Sequence, residues 1–232
     1  MLFLVSNGLL ISLYNMSKRS GKKLKKSVLI FDFDGTIADT FAFTVSIINR
    51  LAHEFQFNMV DPGEVEYLRG VTAQGLMKHL QIPVIKVPFI MTRAQRLLHK
   101  EIHTISPIKG LREILMTLKS MDLKMGILTS NSIENVNRFL QNNEMDFFDF
   151  IMTSLRFWGK TKQINAVIKK QKLHADQVLY IGDEIRDIDE SKRAGVQVAA
   201  VTWGYNSTAS LKAHNPDFLL NHPSDLLRVV GL

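Results

Sequence analysis

The chain has 232 residues, 46% of them hydrophobic and 22% charged, which is enough apolar material for one sizeable core. It has no cysteine, so disulfides and cysteine-ligated metals are excluded and a reducing compartment, the cytoplasm, is expected. The net charge is +7, but Lys18, Arg19, Lys22, Lys23, Lys25 and Lys26 supply six of it in one short run; the rest is nearly neutral, and no nucleic-acid partner is expected.

The N-terminal stretch MLFLVSNGLLISLYN is apolar, but shorter than the roughly 20 residues that cross a bilayer. Its positive charge follows the apolar run instead of preceding it, unlike a secretory signal. Stable membrane insertion is therefore not expected, and residues 1–26 read as a disordered apolar and basic extension.

The first element of the fold is SVLIFDF (27–33), a continuous apolar run closed by a Gly turn, the pattern of a strand buried on both faces. Residues 41–105 follow without a convincing strand. FAFTVSIINRLAHEFQF (41–57), TAQGLMKHLQI (72–82) and PFIMTRAQRLLHKEIHTI (88–105) carry helical spacing and read as an inserted all-helical cap. Pro107 and Gly110 mark the return to the main domain, so 27–40 and 106–232 form its α/β core. KGLREILMTLKSM (109–121) has a helical apolar face. Strand LKMGILTS (123–130) leads to helix SIENVNRFLQNN (132–143), which opens on a Ser cap. Strand FDFIMTS (148–154), helix KTKQINAVIKKQK (160–172), strand QVLYIGD (177–183), helix IRDIDESKRAG (185–195) and strand VQVAAVTW (196–203) complete the alternation. The fold class is α/β, a Rossmann-like parallel sheet flanked by helices.

Right-handed crossovers place every strand's C-terminal end on one edge of such a sheet, where ligands bind. That edge collects Asp32, Asp34, Gly35 and Thr36 from the first strand, and Thr129, Ser130 and Asn131 from the second. It also collects Lys160, Asp183 and Asp187. Crowded carboxylates repel one another, and a hard divalent cation resolves the repulsion. Oxygen ligands few in number favour Mg²⁺, which shares its ligands with a phosphate. The lysine and free N–H groups suit an anion, and the set as a whole suits phosphoryl transfer. In the cap, Arg69 beside Gly70 and Lys86 supply the positive charge an anionic substrate requires. His99 and His103, spaced i,i+4 on a basic helix, read as surface residues and not as a metal pair.

These residues also carry a resemblance. DFDGTIADT (32–40) resembles the first motif of the haloacid dehalogenase-like hydrolase superfamily, ILTSN (127–131) the second, Lys160 in WGKTKQI the third and IGDEIRDIDESKRAG (181–195) the fourth. The resemblance runs from about Ser27 to the C-terminus and is strongest to the phosphoglycolate-phosphatase-like branch, whose small helical cap follows the first motif. It implies Asp32 as nucleophile, forming an aspartyl-phosphate, and Asp34 as general acid and then base. It implies Mg²⁺ on Asp32, the Asp34 backbone carbonyl and Asp183, with Asp187 either a water-mediated ligand or the partner of Lys160. Thr129, Ser130 and Asn131, with N–H groups near Gly35 and Thr36, would bind the phosphate of a small phosphorylated metabolite. Glu184, where small residues are frequent in the superfamily, is expected to face solvent or to lie behind the ligands. A phosphomutase of the β-phosphoglucomutase type would use the same motifs, and a non-catalytic phosphate-binding protein would retain them. A dehalogenase would lack the carboxylate at position 34.

Overall fold

A computed structural model describes residues 27–153 and 159–231. The extension 1–26 and Ser154, the last residue of the third expected strand, lie outside the described residues.

Six parallel strands form one sheet: β1 (Val28–Phe31), β2 (Lys124–Thr129), β3 (Phe150–Thr153), β4 (Val178–Gly182), β5 (Gln197–Val201) and β6 (Phe218–Leu220). Their order is β3-β2-β1-β4-β5-β6. Each of the central strands buries both faces. In β1, Leu29 and Phe31 enter one apolar cluster and Val28 and Ile30 the other, as strand alternation requires. The first cluster is closed by α5 (Leu111–Ser120), α6 (Ile133–Asn142) and α10 (Asp225–Val229), through Leu115, Phe139 and Leu226. The second is closed by α7 (Lys160–Gln171), α8 (Ile185–Arg193) and α9 (Thr208–Ala213), through Val167, Ile188 and Leu211. A fully buried Leu, Ile or Phe side chain contributes roughly 1.5–3 kcal/mol. The end of β1 is thus held from both sides.

Residues 41–105 contain the helices α1 (Phe41–Phe55), α2 (Val65–Leu68), α3 (Ala73–His79) and α4 (Val87–Glu101), and no strand. They have their own small apolar cluster, Ile47, Leu51, Ile90 and Leu97, from the facing sides of α1 and α4. Thr72 caps α3, its hydroxyl accepting the Gly75 N–H at 3.1 Å. The two chain crossings between insert and sheet lie side by side: Asp39 N–H donates to Ser106 C=O at 2.9 Å, and Ala38 pairs with Pro107.

Several elements differ from the sequence expectation, which named no helix over α2, α9 or α10. β6 was not expected as a strand; it pairs with β5 from Ala199↔Phe218 to Val201↔Leu220. Three residues after an Asn-Pro-Asp turn are too few to show a period, and the neighbouring strand supplies what the local pattern lacks. The helix expected over 88–105 begins one residue earlier and ends at Glu101, and residues 102–104 tighten into a 3₁₀ turn. Among the described residues, no helix is long and apolar enough to cross a membrane.

Candidate active site

The chain leaves β1 for β2 on one side of it and returns to β4 on the other. The reversal opens a crevice beyond the carboxyl ends of β1 and β4. Asp32 follows β1 directly, and its N–H still donates to Ile181 C=O at 2.8 Å, so its backbone is part of the sheet in all but name. Asp183 follows β4, and Asp187 lies one turn into α8.

Asp32 is 3% exposed, and Asp183 and Asp187 are fully buried. One carboxylate oxygen from each lies within 4.8 Å of the others. Lys160, the first residue of α7, reaches between two of them, with Nζ 2.7 Å from Asp32 Oδ2 and 2.6 Å from Asp187 Oδ1. The second oxygen of Asp187 accepts the Glu184 N–H at 3.1 Å. Asp187 is therefore the direct partner of Lys160, and both of its oxygens are engaged. Burial pushes the Asp32 carboxyl up to about 7; Lys160 opposes this and Asp187 adds to it. Burial also drives Asp183 well above the ordinary carboxylate range, reinforced by the charges of Asp32, Glu184 and Asp187. Burial works against the charge on Lys160, but Asp187 and Asp32 outweigh it and hold the ammonium charged.

Three buried carboxylates against one ammonium leave an excess negative charge that a divalent cation fits, and every donor is oxygen. The surroundings of Asp183 are built to size. Its Oδ1 accepts the Thr36 hydroxyl at 2.6 Å, and its Oδ2 accepts the Tyr205 N–H at 2.7 Å. Gly35 (φ +76°) and Gly204 press their backbones against it. A Cβ on Gly35 would strike Asp183 Oδ2 and the Tyr205 ring, and one on Gly204 would strike the Asp183 carboxyl itself. The residues present fit a hard divalent cation.

Asp34 occupies different surroundings. Asn131 Nδ2 donates to its two oxygens at 3.3 and 3.1 Å, and no lysine touches them among the hydrogen bonds and ion pairs of the described residues. Burial raises its carboxyl to about 6, with hydrogen bonds from Asn131 and Thr40 holding it back. Thr129 Oγ1 accepts the Asn131 N–H at 3.0 Å, which leaves its own O–H free to donate. Ser130 is half-buried between them at the end of β2.

The other expected site residues divide. Gly35 N–H is engaged inside its turn, with Ala38 C=O at 2.9 Å and Thr40 Oγ1 at 3.1 Å, and Thr36 N–H faces Phe33 C=O at 3.3 Å. In this arrangement both residues shape the Asp183 pocket, and their N–H groups are turned to the loop and not to a phosphate. Arg69 lies where the insert meets the sheet edge, its Nη2 2.5 Å from Gly204 C=O and its guanidinium over the Phe41 ring. Lys86 does not join the cluster. Its Nζ donates to Phe55 C=O at 2.7 Å, at the C-terminal end of α1, whereas Thr40 at the other end borders the site. Fifteen residues at 1.5 Å rise separate the ends by about 20 Å. The ammonium thus caps a helix terminus, which offers unpaired carbonyls and partial negative charge. Glu184 is paired with Arg186 at 2.8 Å. Tyr205 was not singled out by the sequence; its hydroxyl contacts Thr40 and Thr44 at 3.1 and 2.6 Å while its N–H holds Asp183.

Residues 29–201 match the family model described as haloacid dehalogenase-like hydrolase. The chain belongs to the haloacid dehalogenase-like hydrolases. It is 32% identical over 203 residues to a phosphoglycolate phosphatase of Synechococcus elongatus, covering 87% of this chain and 96% of that one. It is 25% identical over 213 residues to the pyrophosphatase PpaX of Bacillus thuringiensis, covering 90% and 98%. A haloacid dehalogenase-like hydrolase of Streptococcus pneumoniae shares the fold, with a TM-score of 0.76 at 20% identity over 88% of this chain and 98% of the other.

Proposed function

We propose that this hydrolase is a Mg²⁺-dependent phosphatase that cleaves a small-molecule phosphate monoester through an aspartyl-phosphate on Asp32. The observation that carries the reading is the contrast between the two aspartates. Asp32 sits against the Lys160 ammonium in a rigid strand end, and Asp34, two residues on, is held by a neutral amide with its carboxyl raised to about 6. A carboxyl near neutrality serves as both donor and acceptor of a proton.

In this reading the Asp32 carboxylate attacks phosphorus and Asp34 protonates the departing oxygen. Asp34 then takes a proton from the water that hydrolyses the acyl-phosphate. Thr129, through its O–H, and the Ser130 N–H hold phosphate oxygens. Lys160 holds Asp32 in its attacking position and offsets the phosphate charge. Asp32, the Asp34 carbonyl and Asp183 would hold Mg²⁺, which supplies charge neutralisation between carboxylates and phosphate. The helical insert is proposed as a cap over this edge. The compartment proposed is the cytoplasm, on the absence of cysteine.

The relatives' names supply two substrates to begin with, phosphoglycolate and pyrophosphate. Phosphate release should be measured on these, on a panel of sugar phosphates and on an aryl phosphate, with Mg²⁺ and with excess chelator. Hydrolysis is expected with Mg²⁺ and loss of it in chelator. Full turnover in chelator would overturn the metal assignment, and conversion of a sugar phosphate to its isomer without phosphate release would favour a mutase.

A further inference from the structure

A line of hydrogen bonds enters the site from the insert. His99, in the last turn of α4, has Nδ1 2.7 Å from Asn135 Oδ1. Asn135, in the first turn of α6, donates Nδ2 to Asn131 Oδ1 at 2.9 Å. Asn131 in turn donates Nδ2 to Asp34.

The direction of this line is fixed by one backbone group. Ser132 N–H also points at Asn131 Oδ1, at 2.8 Å, and an N–H can only donate. That atom is therefore the oxygen, and the Asn131 amide group faces Asp34. Asn135 must then give its NH₂ to Asn131 and its oxygen to His99, and His99 must donate from Nδ1. Asn135 is 2% exposed, on a helix whose neighbours Val136 and Phe139 fill the core. An amide buried there is costly unless both of its ends are satisfied, and its two partners are the insert and the amide that holds Asp34.

We propose that Asn135 is a positioning residue for Asp34, and that His99 sets Asn135 from the insert, so that the carboxyl is aimed when insert and core are docked as they are here. The proposal rests on the phosphatase reading. A carboxyl turns freely about its last bond. Holding it in one plane aligns its proton with the departing oxygen, and only a substrate that needs the proton feels the loss.

The test uses the full chain with Mg²⁺, an alkyl phosphate and an aryl phosphate, and the variants Asn135→Leu, His99→Ala and His99→Asn. For the alkyl ester, Asn135→Leu is expected to lower kcat by roughly 2- to 10-fold, the worth of one net hydrogen bond, with KM unchanged. The burst of aryl alcohol release should fall much less. His99 is exposed, so His99→Ala leaves the core intact and should show the same asymmetry. His99→Asn, whose amide can occupy the place of Nδ1, should restore alkyl activity. The double variant should be no worse than Asn135→Leu alone. Independently of activity, ¹⁵N spectra of neutral imidazoles, with His99 assigned from His99→Ala, should show the Nδ1–H tautomer. An Nε2–H tautomer, or equal losses on both esters, overturns the relay alone. A wild-type protein that releases phosphate from neither ester overturns the phosphatase reading and the positioning role with it.

Discussion

Asp32 and Asp34 are raised for the same first reason, burial, and this has a consequence for stability. The folded carboxyls hold their protons up to about pH 7 and about pH 6, against an ordinary value of 3.8. Between these values the folded state binds more protons than the unfolded one, so stability falls as pH rises. The contribution is complete below pH 3.8 and gone once pH has passed the folded values. On the proposed reading, Mg²⁺ would bind the deprotonated cluster and stabilise it by mass action. The melting temperature in chelator is therefore expected to drop between pH 5 and pH 8, and the gain on adding Mg²⁺ to be larger at pH 8. A gain that does not change with pH would contradict the assignment of this cluster as the metal site. The acidic residues were legible in the sequence because an apolar strand has no packing reason to end in two carboxylates. Asn135 was not, because a single Asn among helical residues looks like any solvent-facing position until the fold turns it inward.

At the scale of elements, the insert and the sheet edge meet through the edge-on packing of Phe41 against Tyr205 and through polar contacts around Arg69. Arg69 ties Gly204 by its side chain, while its own C=O accepts the Ser207 N–H at 2.8 Å and Asn206 Nδ2 at 2.9 Å. Gly204 and Tyr205 in turn bound the Asp183 carboxyl. Arg69→Ala should therefore weaken phosphoglycolate and aryl phosphate hydrolysis alike, because it loosens the loop that bounds the Asp183 carboxyl. Lys86→Ala should leave both activities unchanged and cost about 0.3–1 kcal/mol of stability, the usual worth of a cation at a helix terminus. Steady-state kinetics on the two substrates, with melting temperatures, separates these outcomes. A loss confined to phosphoglycolate in either variant would return that residue to substrate recognition. Sequence spacing could not distinguish the two cations. Each is a lone cation in its own short stretch of the insert, and only the packing of α1 against α4 sends Lys86 to the far end. The strands were legible for the opposite reason. Their apolar runs are long enough to announce burial on both faces, which the three residues of β6 are not.

For the whole molecule, the sheet topology does most of the assembly. One reversal of strand order brings residues 32–36, 129–131, 160, 183 and 187 to a single edge, although they are spread over more than half of the chain. Order along the sequence was enough to foresee this, since strand–helix alternation leaves one edge for all strand ends. What it could not foresee is how the side chains share that edge: Lys160 reaching Asp32 as well as Asp187, Thr36 and Tyr205 framing Asp183, and Asn131 holding Asp34 apart. The central claim is that Asp32 takes the phosphoryl group and Asp34 moves the proton. In Asp34→Asn the attacking carboxylate survives, but the proton carrier is gone. Alkyl substrates should then slow by roughly 10²–10⁴-fold, the usual size of general acid catalysis. An aryl phosphate, with its better leaving group, should still phosphorylate the chain, and the acyl-phosphate should persist for want of a base. The direct measurement is mass spectrometry of the Asp34→Asn protein quenched after aryl phosphate and Mg²⁺, with phosphate expected on Asp32 and absent from Asp32→Asn. No trapped phosphate, with both variants losing aryl and alkyl substrates equally, would contradict the division of roles between the two aspartates.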